Sequence, residues 1–430
     1  MASPAPRPDS DPRADSDPRA DRESRASLVS RADLVPRTVL VSGAGGSGRS
    51  TLATALAQQA AAGSGRTLLL AADDPHRTVD RLVGARLSPE PARLDGGLFA
   101  ARLDPQTAFR DAADRLLSRA KPLFDLLGVD PLERDELSAL PGAAHLALLD
   151  ALRTHAARGD WDVLVVDAPV VAELLAALAL PEQLDRYLAR LVPEQRQAAR
   201  ALRPVLAAVA GVPMPSDWVY EARAWAAAEL DEVRAVTDAP GTTVRLVLDA
   251  PSGPLAGAAL RQARAGLALH GQRVESLLVN RLVPEGDEPF LAGLRREQQR
   301  QLEALRAEWD VPVHGVPHLG REPGPADLLP GSLGLPPVGP SGPLPEPWGV
   351  EDLREGDEGA LVWRIPLPGA DRADLDLVRR GDDLVLGVGG YRRTVALPSA
   401  LRRCTVAGAG LRDGFLAVRF TPDPALWPKG

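Results

Sequence analysis

One stretch, Thr38–Thr51, restricts the possible folds more than any other part of the chain. It reads TVLVSGAGGSGRST. An apolar run (Val39, Leu40, Val41) gives way to Gly43, Ala44, Gly45, Gly46, Ser47 and Gly48. Arg49, Ser50 and Thr51 then lead into the apolar spacing Leu52, Ala55, Leu56. This is the order strand, glycine loop, helix. Such a loop turns successive backbone N–H groups into one concavity, and the helix behind it adds partial positive charge, so the arrangement is shaped for the phosphates of a nucleotide. The spacing follows G-x-x-x-x-G-K-[ST], with Arg49 where lysine is usual. Gly45, Gly46, Gly48, Arg49, Ser50 and Thr51 are therefore the expected phosphate-side residues.

Beyond the loop, apolar runs alternate with helical stretches, which predicts an α/β fold: a doubly wound, mostly parallel sheet with helical insertions. The runs are Thr67–Ala72, Leu98–Leu103, Asp162–Val166, Val244–Leu248, Val274–Val279 and Val311–Val316. Asp73, Asp104, Asp167, Asp249 and Asn280 directly follow the first five, at the carboxyl edge where such sheets bind ligands. Asp104 and Asp249 are expected to do no more than begin loops and cap helices. Two helical insertions are expected, at 108–157 and 182–235. The second carries an apolar stripe (Leu184, Tyr187, Leu188, Leu191, then Leu202, Val205, Leu206, Val209), followed by Pro213, Pro215, Trp218, Tyr220 and Trp225.

The ends of the chain differ in character. Residues 1–33 repeat SDPRAD and hold almost nothing apolar, so a disordered tail is expected there. The phosphate-loop part then runs over 34–325. A Pro/Gly-rich linker is expected at 326–349, with few contacts across it. Residues 350–430 show short strand-like runs, at Leu361–Ile365, Leu375–Val378, Leu384–Val388, Thr394–Leu397 and Phe415–Phe420, separated by turn signals such as Pro368-Gly369 and Gly389-Gly390. They predict a small all-β sandwich domain, separable from the rest.

Composition narrows the function. A net charge of −8 argues against general nucleic-acid affinity, because such proteins neutralise phosphates with basic patches. No apolar run approaches the ~20 residues that span a bilayer, so no direct membrane insertion is expected. With no signal-peptide pattern at the N-terminus, a cytoplasmic location is expected. A single cysteine, Cys404, excludes a Cys-x-x-Cys site within the chain. Of 50 basic residues only Lys121 and Lys429 are lysine, so an arginine at any one basic position says little about choice.

The chain resembles the deviant phosphate-loop ATPases typified by the arsenical pump-driving ATPase and the tail-anchored-protein targeting ATPase. Their loop, K-G-G-x-G-K-[ST], falls on Ala44–Ser50. Their first switch, D-P-A-H-S-L-S-D, is similar to Asp73–Asp80, with Asp73, His76 and Asp80 matching. Their second switch looks like Asp167–Pro181, where Asp167, Leu175, Leu178, Leu180 and Pro181 fit. LDP at Leu103–Pro105 and LPG at Leu140–Gly142 recur in relatives. Residues 358–422 resemble the small heat-shock (α-crystallin-like) domain that some bacterial members carry, through IPLPGADRADLDL and GDDLVLGVGGYRRTVALP.

The resemblance implies ATP/ADP and Mg²⁺ as cofactors, with Ser50 on the metal, Asp167 in its outer shell through water, Asp73 at the attacking water and Asn280 at the adenine. It also implies a homodimer and a protein client or membrane-protein partner. The departures fall on the chemistry. The first loop lysine, which in the family crosses the dimer to the partner's nucleotide, is Ala44. The second is Arg49, and the glycine of the second switch is Ala172. Supplying such a transition-state charge is worth roughly a thousandfold or more in phosphoryl transfer. The expectation is therefore a nucleotide-switched dimer with weak or lost hydrolysis. The alternatives are an active ATPase coupled to a membrane partner, with Arg77 as the obvious replacement cation, and a non-enzymatic, chaperone-like client-binding protein.

Overall fold

The computed structural model describes residues 35–128, 130, 132–192, 217–250, 254–286, 288–340, 348–355 and 359–426. The expected tail, the second half of the apolar stripe from Leu202 to Pro215, and residues 341–347 of the expected linker lie outside the described residues. In chain order the first part runs β1 (Arg37–Gly43), α1 (Arg49–Ser64), β2 (Thr67–Ala71), α2 (Thr78–Val83), β3 (Ala92–Arg93), β4 (Leu98–Arg102), α3 (Pro105–Leu127), α4 (Ala143–Ala157), β5 (Val163–Asp167) and α5 (Val171–Leu191). It continues with α6 (Asp217–Thr237), β6 (Thr242–Asp249), α7 (Pro254–Leu269), β7 (Val274–Leu282), α8 (Pro289–Glu308) and β8 (Val313–Pro317).

These strands form an eight-stranded sheet in the order β3-β4-β2-β5-β1-β6-β7-β8, parallel except for the short edge strand β3. Alternate residues of the central strands feed opposite cores, as the two-residue period of a strand requires. Leu40, Leu164 and Val166 pack under α4, α5 and α7, while Val39, Val41, Val163 and Val165 pack under α1. The first residues of α3 follow Asp104, whose carboxylate accepts from the backbone N–H groups of Gln106 and Thr107, so its role as a cap is as expected.

The Pro/Gly-rich stretch is not a free tether. Leu328, Leu333 and Leu335 are buried in the core beneath α1. The guanidinium of Arg245 donates to the carbonyls of Pro336 and Pro337 at 2.8 and 2.9 Å, and Arg37 Nε donates to Gly339 O at 3.0 Å. Glu275 holds both arginines in place. Residues 325–339 thus form a strap across the sheet.

After the strap come β9 (Gly349–Leu353), β10 (Ala360–Pro366), β11 (Leu375–Arg380), β12 (Asp383–Val388), β13 (Tyr391–Ala396), the short α9 (Ser399–Arg402), β14 (Cys404–Arg412) and β15 (Phe415–Pro422). They make two antiparallel sheets, β14-β15-β10-β9 and β11-β12-β13, around Trp363, Ile365, Leu386, Val418 and Phe420. Contacts between this sandwich and the rest are more extensive than the sequence suggests. Ala265 and Leu269 of α7 belong to the sandwich's own apolar cluster, which Tyr391 joins from the rim. Arg393 Nε donates to Glu182 of α5 at 2.9 Å and its Nη1 to Leu269 O at 2.9 Å, with its guanidinium stacked over Trp348.

Candidate nucleotide site

The carboxyl edge of the sheet gathers the expected residues. β1 lies between β5 and β6, so the loop that leaves it faces the ends of both neighbours. Asp167 at the end of β5 stands level with Val41 and Ala71, and Asn280 on β7 pairs in register with Asp249 on β6. Glycine is required at three points of the loop. A Cβ on Gly43 would come within 2.0 Å of Val247 O, so β6 approaches too closely for any side chain. Gly46 and Gly48 are left-handed, with φ of 76° and 90°. Ala44, Gly45 and Gly46 are exposed at the tip, and the Ser47 hydroxyl donates back to Ala44 O at 2.8 Å.

Asp167 is fully buried, and neither of its carboxylate oxygens has an aligned hydrogen-bond partner. Burial pushes its carboxyl up to about 7. The Ser50 hydroxyl and the charge of Arg49 pull the other way, and Asp74 and Asp73 add to the rise. A buried, unpaired carboxylate is costly unless something positive meets it. With Ser50 in the first turn of α1 beside it, this oxygen donor set fits a divalent cation of the Mg²⁺ type, which takes one or two protein oxygens and keeps water for the rest.

Arg49 is folded inward. One guanidinium nitrogen donates to Ala168 O, just past Asp167, and the other meets Asp73 Oδ2 at 3.3 Å. The loop and the segments that resemble the family's two switches are thereby tied by one side chain that is 12% exposed. The first switch is also braced from beneath. Asp74 is buried and accepts from the N–H groups of Thr78 and Val79 at 2.7 and 2.8 Å, capping α2. Arg102 joins Asp74 to Asp80. Burial works to raise the Asp80 carboxyl, but hydrogen bonds from Arg102 and Arg77 outweigh it and hold it below the ordinary range. Arg77, the substitute cation of the active-ATPase alternative, pairs with Asp80 at 2.9 Å and so is already engaged.

Asn280 is buried, and its Nδ2 donates to Ser47 O at 2.8 Å. Together with Gly48, Thr51, Pro317 and His318 it lines a hollow beside the loop, so Thr51 faces that hollow. One residue here, Arg281, went unassigned in the sequence, and another, Asp249, was expected only to begin a loop. Arg281 donates to Gly46 O at 2.8 Å and meets Asp249 at 3.3 Å, which gives Asp249 a place at the loop rather than only at a strand end. Nothing local marks Arg281: an arginine after a strand is ordinary, and its partner on the loop lies more than two hundred residues away. Ala172 lies in the first turn of α5.

A glycine loop between strand and helix at the switch point of a parallel sheet, with a buried carboxylate on the adjacent strand, defines the phosphate-loop class of nucleotide-binding proteins. Residues 36–326 match the anion-transporting ATPase family, and residues 358–420 match the HSP20-like domain found in ArsA. The chain belongs to the anion-transporting ATPase family. It is 50% identical over 396 residues to the protein SCO2128 of Streptomyces coelicolor, covering 91% of this chain and 99% of that one. It is 34% identical to protein Rv2184c of Mycobacterium tuberculosis, over 90% of this chain and 97% of the other. A putative arsenical pump-driving ATPase of Aquifex aeolicus is 24% identical, over 85% of this chain and 94% of its own. No helix among the described residues is long and apolar enough to cross a membrane.

Proposed function

We propose that this chain is an ATP-binding homodimer whose nucleotide acts as a switch and whose hydrolysis is weak or lost. The observation that carries the reading is the pairing of a kept binding apparatus with a missing charge. The backbone cradle, Ser50 and the unpartnered Asp167 are all in place, whereas the loop tip presents Ala44, exposed and uncharged. Gly45, Gly46, Gly48 and Arg49 would take the phosphates, Ser50 and Asp167 the metal, and Asn280 the side of the adenine. Bound Mg²⁺ would supply charge neutralisation at the phosphate oxygens. Asp73 would orient water only once Arg49 releases it, and a phosphate group is the natural competitor for that guanidinium. Affinity survives because amides and metal sites remain. Rate does not, because the missing charge acts chiefly in the transition state.

Titration of the full chain with Mg·ATP and Mg·ADP by calorimetry, alongside phosphate release, tests this. The expected result is measurable binding, with turnover at least roughly a hundredfold below that of active phosphate-loop ATPases. Ala44→Lys combined with Arg49→Lys should raise turnover more than affinity. Wild-type turnover equal to that of the double variant would favour the active ATPase with a membrane partner. Absence of binding would favour the client-holding protein. The dimer should persist in EDTA without nucleotide, since a chain with the single cysteine Cys404 supplies no Cys-x-x-Cys pair to share a metal between subunits.

A further inference from the structure

Asn280 and Arg281 are consecutive in the chain, and they donate to consecutive carbonyls of the loop: Asn280 Nδ2 to Ser47 O and Arg281 Nη1 to Gly46 O, both at 2.8 Å. Adjacent residues of a regular strand point to opposite faces, so both can reach one loop only if the strand turns between them. It does turn: Arg281 is left-handed, with φ of 60°, and the β7–β8 register breaks between Val279 and Leu282. A non-glycine residue in that region costs about 1 kcal/mol or more and persists where its surroundings hold it there. Asp249, level with Asn280 on the next strand, steadies the guanidinium. The fit on the Asn280 side is close: a Cβ on Gly48 would lie 2.2 Å from Asn280 Nδ2.

Peptide geometry gives these two bonds a purpose. In a planar trans peptide the carbonyl and the following N–H point in opposite directions. Tying Gly46 O and Ser47 O to the end of β7 therefore turns the N–H groups of Ser47 and Gly48 away from β7. The Ser47 N–H has only a long contact, 3.4 Å to Ala44 O, which an anion can replace. We infer that Asn280 and Arg281 are positioning residues, a two-point clamp behind the loop that aims its amides at the di- or triphosphate of a nucleotide. This role is separate from contact with the base, and it rests on the nucleotide reading above.

The test uses the full chain with Arg281→Gly, which keeps the left-handed backbone and removes the guanidinium, and Arg281→Asn, which tolerates the same φ. Thermal melting without ligand reports structure, and calorimetric Mg·ATP affinity reports the clamp. Losing the bond that orients the amides should weaken Mg·ATP about tenfold, as expected for one such hydrogen bond, with melting of the free protein little changed. Asn280→Ala should weaken it by at least as much. Variants that melt earlier yet bind Mg·ATP as the wild type does would reduce the clamp to a structural contact and overturn the inference. Should one Arg281 variant fail to fold, the other decides. A wild-type protein that binds no nucleotide defeats the underlying reading instead, and the two failures are told apart by the wild-type titration alone.

Discussion

Gly266, near the C-terminal end of α7, is the position where the sandwich, α5 and α7 meet. A Cβ built there would lie 2.6 Å from Tyr391 Cδ2 and 2.9 Å from Leu175 Cδ1, both inside the closest approach that real methyl groups make. Gly266→Ala therefore sets two effects against each other. Alanine in a helix interior is favoured over glycine by about 0.8–1.0 kcal/mol. Forcing a methyl group into a filled space costs about 1–3 kcal/mol. The net expectation is a loss of about 1 kcal/mol, because both the Tyr391 ring and the Leu175 side chain have to shift to admit the methyl group. Gly257 on the same helix provides the control. Its Cβ would touch only Arg261 Nη1 at 3.5 Å, an ordinary contact, so Gly257→Ala should stabilise by a few tenths of a kcal/mol up to the propensity difference. Urea denaturation of the full chain followed by tryptophan fluorescence measures both. Opposite signs are required. Gly266→Ala shifting the midpoint upward, as Gly257→Ala does, would mean that the sandwich does not rest on α7.

Two further outcomes follow from the packing. Glu275→Ala leaves the guanidinium groups of Arg245 and Arg37 without their shared carboxylate, and Arg245 is 4% exposed; the expected loss is about 3 kcal/mol in urea denaturation, with faster proteolysis of the strap at 325–339. His270 at the foot of α7 is held near 4 by burial and by Arg393, below its usual 6.5, so the unfolded chain binds the proton more readily between those values. Stability from this group is whole above pH 6.5 and is lost as pH falls toward 4, by about 1–2 kcal/mol at pH 5 after discounting for partial solvent access; His270→Gln should flatten that part of the stability profile, and an unchanged profile would refute the assignment.

How much of the fold was legible depended on whether a segment's partners were local. The central strands of the large sheet are buried on both faces and read as continuous apolar runs; β2 and β5 lie within a residue of the expected spans. β14 did not read as a strand, because CTVAGAGLR is small and largely exposed and owes its conformation to the ladder with β15. β9 is an edge with Glu351 and Asp352 outward, which hides it equally well. The strap misled for a related reason. Its Pro and Gly content is that of a linker, but Leu328, Leu333 and Leu335, with Val338 at the edge, have a waiting face under α1, and its carbonyls have waiting arginines on β1 and β6. Composition counts what a segment contains and cannot see what the rest of the chain offers it.

The site divides along the same line. A phosphate loop is a backbone device, so its requirements appear in sequence as glycines at fixed intervals, and Gly43, Gly46 and Gly48 have the conformations or contacts that call for glycine. Side-chain partners are another matter. Arg281 reaches Gly46 only because its own backbone is left-handed, and no spacing rule encodes that. Arg49 makes the point most sharply. Read as a letter, it is a conservative replacement in an arginine-biased chain. In the structure its planar fork bridges Asp73 and Ala168 O, two groups that a compact ammonium could not span in the same way. With Ala44 neutral and Arg77 paired to Asp80, Arg49 is the loop's own cation, and it is bound inward to the two switches. An anion that takes this guanidinium has to compete with the Asp73 carboxylate and the Ala168 carbonyl for it, which under the proposed reading would couple occupancy of the loop to release of the segments after β2 and β5.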